Sequence, residues 1–480
     1  MRPGEEQRRE GSKESGGGDF IRPDYSFDQL NEQDSHGKPS AHGGRPLTAL
    51  RVGIAGLGTV GGGLVKLLTA QRGLLEDRCG RSIEVTAVSA RNRDADRGFD
   101  IGDATWHDDP VDLARDPNLD VVCELIGGAD GPALALSEAA IIAGKHLVTA
   151  NKALLAMHGA SLAVLAEEHG VEIRYEAAIA GGIPIVKAMR EGLAGNRFTG
   201  VFGILNGTCN YILTEMHDAV LAGRTLEFET VLAEAQELGY AEAEPSTDID
   251  GFDAAHKLAI LTSVAFGCPV NFEAIHIEGI RHISAVDIEY AIELGYRVKL
   301  LAIARETATG IEQRVHPCMV PARAPIARVD GVNNAIEVQA DFVGTTIYEG
   351  PGAGEGATSS AVAGDIIDIA RGQRTPTFGV PAARLERRPF APMDRMVGPY
   401  YIRLMLLDQP GVIADIAACL RDQKVSVESM LQRARNPGDA VPVVLTTHEA
   451  EEGALRRALE AVDQLDAVLE TPRMIRIESI

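Results

Sequence analysis

No apolar stretch in the sequence is long enough to span a bilayer, and the N-terminus, MRPGEEQRREGSKESGGGDF, lacks the apolar core of a secretory signal. The expected address is therefore the cytoplasm, with no membrane partner. Cysteine is sparse: six residues, Cys79, Cys123, Cys209, Cys268, Cys318 and Cys419, stand singly, with no Cys-x-x-Cys pair and no Cys/His cluster at zinc spacing. They read as reduced, mostly buried thiols. Positive charge is in deficit, 46 Lys and Arg against 69 Asp and Glu, and a formal net charge of -23 would repel nucleic acid or an anionic membrane at long range. A small molecule is the expected partner, and nucleic acid is not.

What is present divides the chain. At 480 residues it exceeds one ordinary core, and about two to four domains are expected. Residues 1–48 are rich in Gly, Ser, Glu, Arg and His without apolar periodicity, the composition of a disordered tail. From LTALRVGIAGLGTVGGGLVKLLT onward, short apolar runs (IEVTAVSA, LDVVCELIG, HLVTANK) alternate with helical segments, which predicts an α/β unit with a doubly wound parallel sheet over 49–170. Residues 171–390 mix longer helices with strands such as RVKLLAIARE and read as α+β, ending in a Pro- and Arg-rich linker, RTPTFGVPAARLERRPFAPMDRMVGP. Residues 391–480 read strand, helix, strand, strand, helix, strand, a ferredoxin-like unit.

The GLGTVG run, Gly56, Leu57, Gly58, Thr59, Val60 and Gly61, follows the strand RVGIAG and opens a helix. Backbone N–H groups and the helix dipole there would face a pyrophosphate, so a dinucleotide is predicted. The next strand would end in an acidic residue for the ribose of NAD. It ends instead in Ser89, Ala90, Arg91, Asn92 and Arg93, and a guanidinium suits a 2′-phosphate, so NADP is favoured and NAD stays open. HLVTANKALL sets Asn151 and Lys152 just past a strand, at the carboxyl edge where open α/β sheets bind ligands. NGTCNYIL at 206–213 reads as a helix cap or as donors for a substrate carboxylate, and on local grounds as the cap.

EPSTDIDGFDAAHK, residues 244–257, gathers Glu244, Asp248, Asp250 and Asp253 ahead of Lys257. An isolated run of this kind is ordinarily a solvated loop. Here FDAAHKLAILTSVA reads as a helix, with Asp253 and Lys257 four apart on one face near its start. Acids suit a substrate ammonium, and a lysine suits a carbonyl being reduced. Together they suit an amino-acid aldehyde.

At these spacings Ala235, Gly239, Tyr240, Ala241, Pro245, Asp248, Ile249, Gly251, Asp253 and Lys257 resemble the signature of the homoserine dehydrogenase family. GLGTVG, TANK, AGGIP, NGTCNYI and GPGAGEGATSSAV are similar to that family's other motifs and occur in its order, over residues 50–375. Glu244 departs from the family, which usually carries Asp, Asn or Ser before the proline. The resemblance implies a Rossmann-type nucleotide domain, an α+β catalytic and dimerisation domain, and a C-terminal ACT domain. It implies reversible NAD(P)H-dependent reduction of L-aspartate 4-semialdehyde to L-homoserine, on the route to threonine, methionine and isoleucine.

By motif, Lys257 would be the proton donor, directly or through a water, and Lys152 would sit beside nicotinamide and substrate. Glu242, Asp253 and Asp248 would hold the ammonium, with Thr208 and Tyr240 lining the pocket and Gly352 close to the cofactor. The family's monovalent cation, usually sodium, would lie on Glu176 and the backbone of Ile179, Gly181 and Ile183. In the ACT motif DQPGVIADIA, Asp408 and Gly411 would receive an amino-acid carboxylate, with L-threonine the expected effector, at an interface within a homodimer or homotetramer. The residues ahead of the glycine turn are too few for an aspartokinase-like domain, which implies a monofunctional chain. Two alternatives stay open: another NAD(P)-dependent amino-acid or semialdehyde dehydrogenase, and a non-catalytic amino-acid sensor.

Overall fold

Short runs of Val, Ile, Leu and Ala cannot be solvated on either face, and in the N-terminal half they stack as a buried parallel sheet. The computed structural model describes residues 48–433 and 440–480, so the expected tail lies, through residue 47, outside the described residues. The first sheet holds β1 (Leu50–Ala55), β2 (Ile83–Ser89), β3 (Thr105–His107), β4 (Val121–Glu124), β5 (His146–Thr149) and β6 (Ile173–Arg174). Its order is β3-β2-β1-β4-β5-β6, parallel throughout, as the alternating pattern predicts. The order reverses between β1 and β4, which opens a crevice at their carboxyl ends.

The helix Glu355–Ala370 comes from far down the chain to cover this sheet. Val362, Ala363 and Ile366 share a core with Leu64 and Val65 of the helix Thr59–Ala70 and with Ile54 of β1. Gly63 permits the approach, because a Cβ there would lie 2.6 Å from the Glu355 side chain. Lys66 pairs with Glu355 at 2.8 Å across the same contact.

The second sheet is mixed. It holds β7 (Phe198–Ile204), β8 (His276–Ile277), β9 (Tyr296–Thr307), β10 (Gly310–Pro321), β11 (Asn333–Ala340) and β12 (Gly344–Pro351) from the middle of the chain. After β13 (Val397–Gly398) come β14 (Tyr400–Leu407), β15 (Val427–Gln432), β16 (Ala440–Thr447), β17 (Ala450–Glu451) and β18 (Arg473–Ile477). β13 and β17 form a separate pair, and β8 adds to β10 off the main path. The C-terminal order β18-β14-β16-β15 is the ferredoxin-like arrangement expected from the sequence.

This unit does not stand apart. β18 pairs in parallel with β10 at Cys318 to Arg476 and Met319 to Ile477, giving one sheet in the order β12-β11-β7-β9-β10-β18-β14-β16-β15. The Pro- and Arg-rich segment read as a linker is a packed strap. Phe378 is buried against Tyr175, and the Thr377 carbonyl accepts from the Tyr175 hydroxyl at 2.6 Å.

Candidate active site

Gly251 turns the chain with φ +87° and releases it into the helix Phe252–Phe266, whose Ala- and Leu-rich sequence sustains a buried helix. Asp253 in its first turn and Lys257 one turn later share a face, and both are buried. Lys257 Nζ donates to Asp253 Oδ2 at 2.8 Å and to the Leu205 carbonyl, past the end of β7, at 2.6 Å. Lys152 begins the helix Lys152–His169 directly after β5, with Asn151 as its cap, and its Nζ lies 3.2 Å from Asp253 Oδ1. Two ammonium groups from two helices thus meet on one carboxylate. Burial alone would raise the pKa of Asp253, but Lys257, Lys152 and the amide of Asn206 together hold it far below the usual carboxylate range.

Asp248 stands beside this group, its Oδ1 accepting from Asn206 Nδ2 at 2.9 Å. The same nitrogen donates to Asp253 Oδ2 at 2.9 Å. Burial and then Asp253 push the Asp248 pKa up, against Asn206 and both lysines. The remaining acids of the run have other work. Asp250 pairs with Arg281 and Glu244 accepts from Ser246. Thr208 Oγ1 donates to the Tyr240 carbonyl at 2.7 Å, while the exposed Tyr240 ring packs edge-on against Tyr211. Glu242 is exposed on the loop, its carbonyl accepting from Gln236. The geometry therefore brings Lys152, Lys257, Asp253 and Asp248 together and leaves the Glu242 and Tyr240 side chains on the rim.

The glycine turn lies where β1 ends. Gly56 has φ +97°, and a Cβ there would sit 2.4 Å from the Leu125 carbonyl oxygen; a Cβ on Gly61 would sit 1.9 Å from that of Gly56. A Cβ on Gly58 would meet none of the described residues within 4 Å, and Thr59 and Val60 start the helix. A cleft of about 570 Å³ runs from Gly56, Leu57 and Gly58 to Ala90, Arg91 and Arg97. These residues fit a dinucleotide: bare backbone at the phosphate position and guanidinium groups at the far end. Arg97, held by the Ala95 carbonyl and stacked over Trp106, is a second cation there that the strand-end pattern does not reveal.

Glu176 is buried in a turn before the short helix Ile185–Lys187, its two carboxylate oxygens accepting from Val186 N and Lys187 N at 2.8 Å each. Burial and the nearby Asp365 push its pKa up to about 7. Ile179, Gly181 and Ile183 follow in irregular backbone, and a Cβ on Gly181 would lie 2.5 Å from the Gly352 carbonyl. Gly352 thus touches this segment, and Glu355, three residues on, lines the small cavity beside Gly58 and Thr59. In the C-terminal unit, Gly411 (φ +99°) precedes the helix Val412–Asp422, with Asp408 just past the end of β14.

The Leu205 carbonyl is a site group that the sequence reading passes over, and the bridge from Asn206 to Asp248 and Asp253 goes beyond the cap expected there. Asn206 does cap its helix, Oδ1 accepting from Cys209 N at 2.8 Å. A cap uses only that oxygen, so the spare amide hydrogens were the signal available.

Family models described as "Homoserine dehydrogenase, NAD binding domain", "Homoserine dehydrogenase" and "ACT domain" match residues 56–176, 184–367 and 400–465. The homoserine dehydrogenases of Neisseria gonorrhoeae and Pseudomonas aeruginosa are each 44% identical to the chain, covering 90% of it and 99% of their own length. A solved homoserine dehydrogenase from Thiobacillus denitrificans superimposes with a TM-score of 0.84 at 44% identity, over 90% of this chain and 98% of that one. A hyperthermophilic archaeal homoserine dehydrogenase solved in complex with NADPH gives a TM-score of 0.57 at 27% identity, over 68% of this chain and 99% of its own. With the lysine pair, the glycine turn and both sheets in place, the chain belongs to the homoserine dehydrogenase family of nicotinamide-dependent oxidoreductases.

Proposed function

We propose that Lys257 is the proton donor in the reduction of L-aspartate 4-semialdehyde to L-homoserine, and the acceptor in the reverse direction. The observation that carries this reading is the convergence of Lys152 and Lys257 on Asp253. A nicotinamide held at the glycine turn would supply the hydride to the aldehyde carbon. Lys257, fixed between Asp253 and the Leu205 carbonyl, delivers a proton to the alkoxide oxygen, directly or through one water. Lys152 stands at the carboxyl edge of the nucleotide sheet, where it adds positive charge between cofactor and substrate. Asp253 and Asp248 receive the substrate ammonium, Glu242 closes on it from the loop, and Thr208 with Tyr240 forms the adjoining wall.

NADP is the favoured cofactor, because Arg91 and Arg97 end the cleft where a 2′-phosphate would lie and because the archaeal relative was solved with NADPH. Gly56 to Gly61 would receive the pyrophosphate. Sodium or another monovalent cation would sit on Glu176 and the carbonyls of Ile179, Gly181 and Ile183, hard oxygen donors that suit such an ion. L-Threonine is the proposed effector at Asp408 and Gly411, in a cytoplasmic homodimer or homotetramer.

Steady-state oxidation of L-homoserine, with NADP and then NAD, with and without L-threonine, tests these readings. Lys257→Met is expected to lower kcat by about 10²–10⁴-fold with cofactor affinity unchanged. Normal turnover in that variant would end the assignment.

A further inference from the structure

We propose that Asn206 is a positioning residue that keeps Asp248 ionised and aimed beside Asp253, so that both carboxylates act on the substrate ammonium. The inference rests on the reading of these acids as the ammonium site. A primary amide offers one acceptor and two donor hydrogens, and each is used here. Oδ1 accepts from Cys209 N at 2.8 Å, and Nδ2 donates to Asp248 Oδ1 and Asp253 Oδ2 at 2.9 Å each. Because the helix N–H fixes Oδ1, a flip of the amide would set its oxygen against two carboxylates. The donor edge therefore has one orientation.

The two acids are not supported alike. Asp253 takes ion pairs from both lysines, whereas among the described residues no lysine or arginine lies within ion-pair distance of Asp248. The groups facing Asp248 are Asp253 and Lys257 on one helix, Lys152 on a second, and Cys209 on a third, whose Sγ donates to the Asp248 carbonyl at 3.2 Å. Asp250, on its own turn, is engaged by Arg281. Burial and the charge of Asp253 favour the protonated acid, and among the described residues the Asn206 amide is the one direct hydrogen bond opposing them at the Asp248 carboxylate. Without it the balance moves toward a neutral Asp248, which attracts an ammonium less. Asn206 acts through Asp248 and need not touch the reacting atoms.

Asn206→Ser separates this role from capping, since a serine oxygen still accepts from the helix N–H but one hydroxyl cannot donate to two carboxylates. In the full chain the KM for L-homoserine is expected to rise about tenfold, with the KM for NADP unchanged. The acid limb of the kcat/KM profile is expected to move to higher pH. In an Asp248→Asn background the same substitution should leave the profile where Asp248→Asn put it. An unmoved acid limb in Asn206→Ser, with only a lower melting temperature, would reduce Asn206 to a cap and overturn the inference, as would full additivity with Asp248→Asn. If Asp248→Asn alone leaves the KM for L-homoserine unchanged, the ammonium reading itself falls, and this inference with it.

Discussion

Lys299 shows how a buried charge near the site serves the frame rather than the chemistry. Its Nζ donates to Asn210 Oδ1 at 2.9 Å and to the Val329 carbonyl at 2.6 Å, while Asn210 Nδ2 reaches the carbonyls of Val329, Gly331 and Asn333. The second asparagine of NGTCNY thus stitches the helix Gly207–Leu221 to the approach of β11, as the first bridges two acids. Burial, with Arg297 nearby, pushes the Lys299 pKa down to about 8. The unfolded lysine titrates near about 10.4, so between those values the unfolded chain binds a proton that the native chain does not. Stability therefore rises with pH across that window, by at most about 1.4 kcal/mol per unit from this group. Urea unfolding at pH 7.5 and 9.5 should show the native chain gaining on Lys299→Met as pH rises; equal slopes would refute the assignment. At this scale the Asp253 and Lys257 spacing was legible because a helix places residues four apart on one face. The Asn206 bridge was not, because its partners lie 42 and 47 residues away.

Among elements, the strand, glycine turn and helix at 50–70 were legible because every constraint on them is local: an apolar strand, bare backbone at the bend, a helix beyond. The last and the middle glycine of the run should answer substitution differently. A Cβ on Gly61 meets a backbone oxygen that cannot give way, so Gly61→Ala is expected to cost about 1–3 kcal/mol and to lower the melting temperature. Gly58 has φ -78°, and a Cβ there would meet none of the described residues within 4 Å, so Gly58→Ala should fold normally and raise only the KM for NADP. A paired thermal melt and cofactor titration checks this, and a folding defect in Gly58→Ala would contradict the geometry. The strap at 374–399 escaped the sequence reading for a physical reason. Proline and arginine suppress periodicity, yet irregular backbone packs well when its carbonyls find donors, as Thr377 does with Tyr175 and with Arg190 at 3.1 Å. The join between β10 and β18 was equally hidden, since strand pairing across more than 150 residues leaves no local trace.

The whole molecule is tied together where β18 meets β10. Arg476, fully buried, donates to Glu452 at 2.7 Å within the C-terminal unit and to Glu278 at 2.8 Å beyond it. Burial would raise the Glu278 carboxyl, but His276, His282 and Arg476 hold it far below the ordinary range, so its contribution is present above the unfolded pKa and is lost on acidification. Removing one partner of a buried pair strands the others, and Arg476→Met is expected to cost about 3–5 kcal/mol in a denaturant titration. Glu278 also begins a short route to the site. A Cβ on Gly279 would lie 2.2 Å from the Ile249 carbonyl, Ile280 N donates to that carbonyl at 2.9 Å, and Arg281 pairs with Asp250. The turn so gripped carries Asp248. If L-threonine acts through the ACT unit, a shift of β18 would reach the proposed ammonium site along these contacts, which are contiguous and closely packed. Glu278→Gln keeps the shape of the joint and removes its charge. Its KM for L-homoserine without threonine is expected to stay within about twofold of the parent, while threonine's effect on that KM falls several-fold. Threonine inhibition of undiminished strength in Glu278→Gln would show that the signal, where it exists, travels by another path.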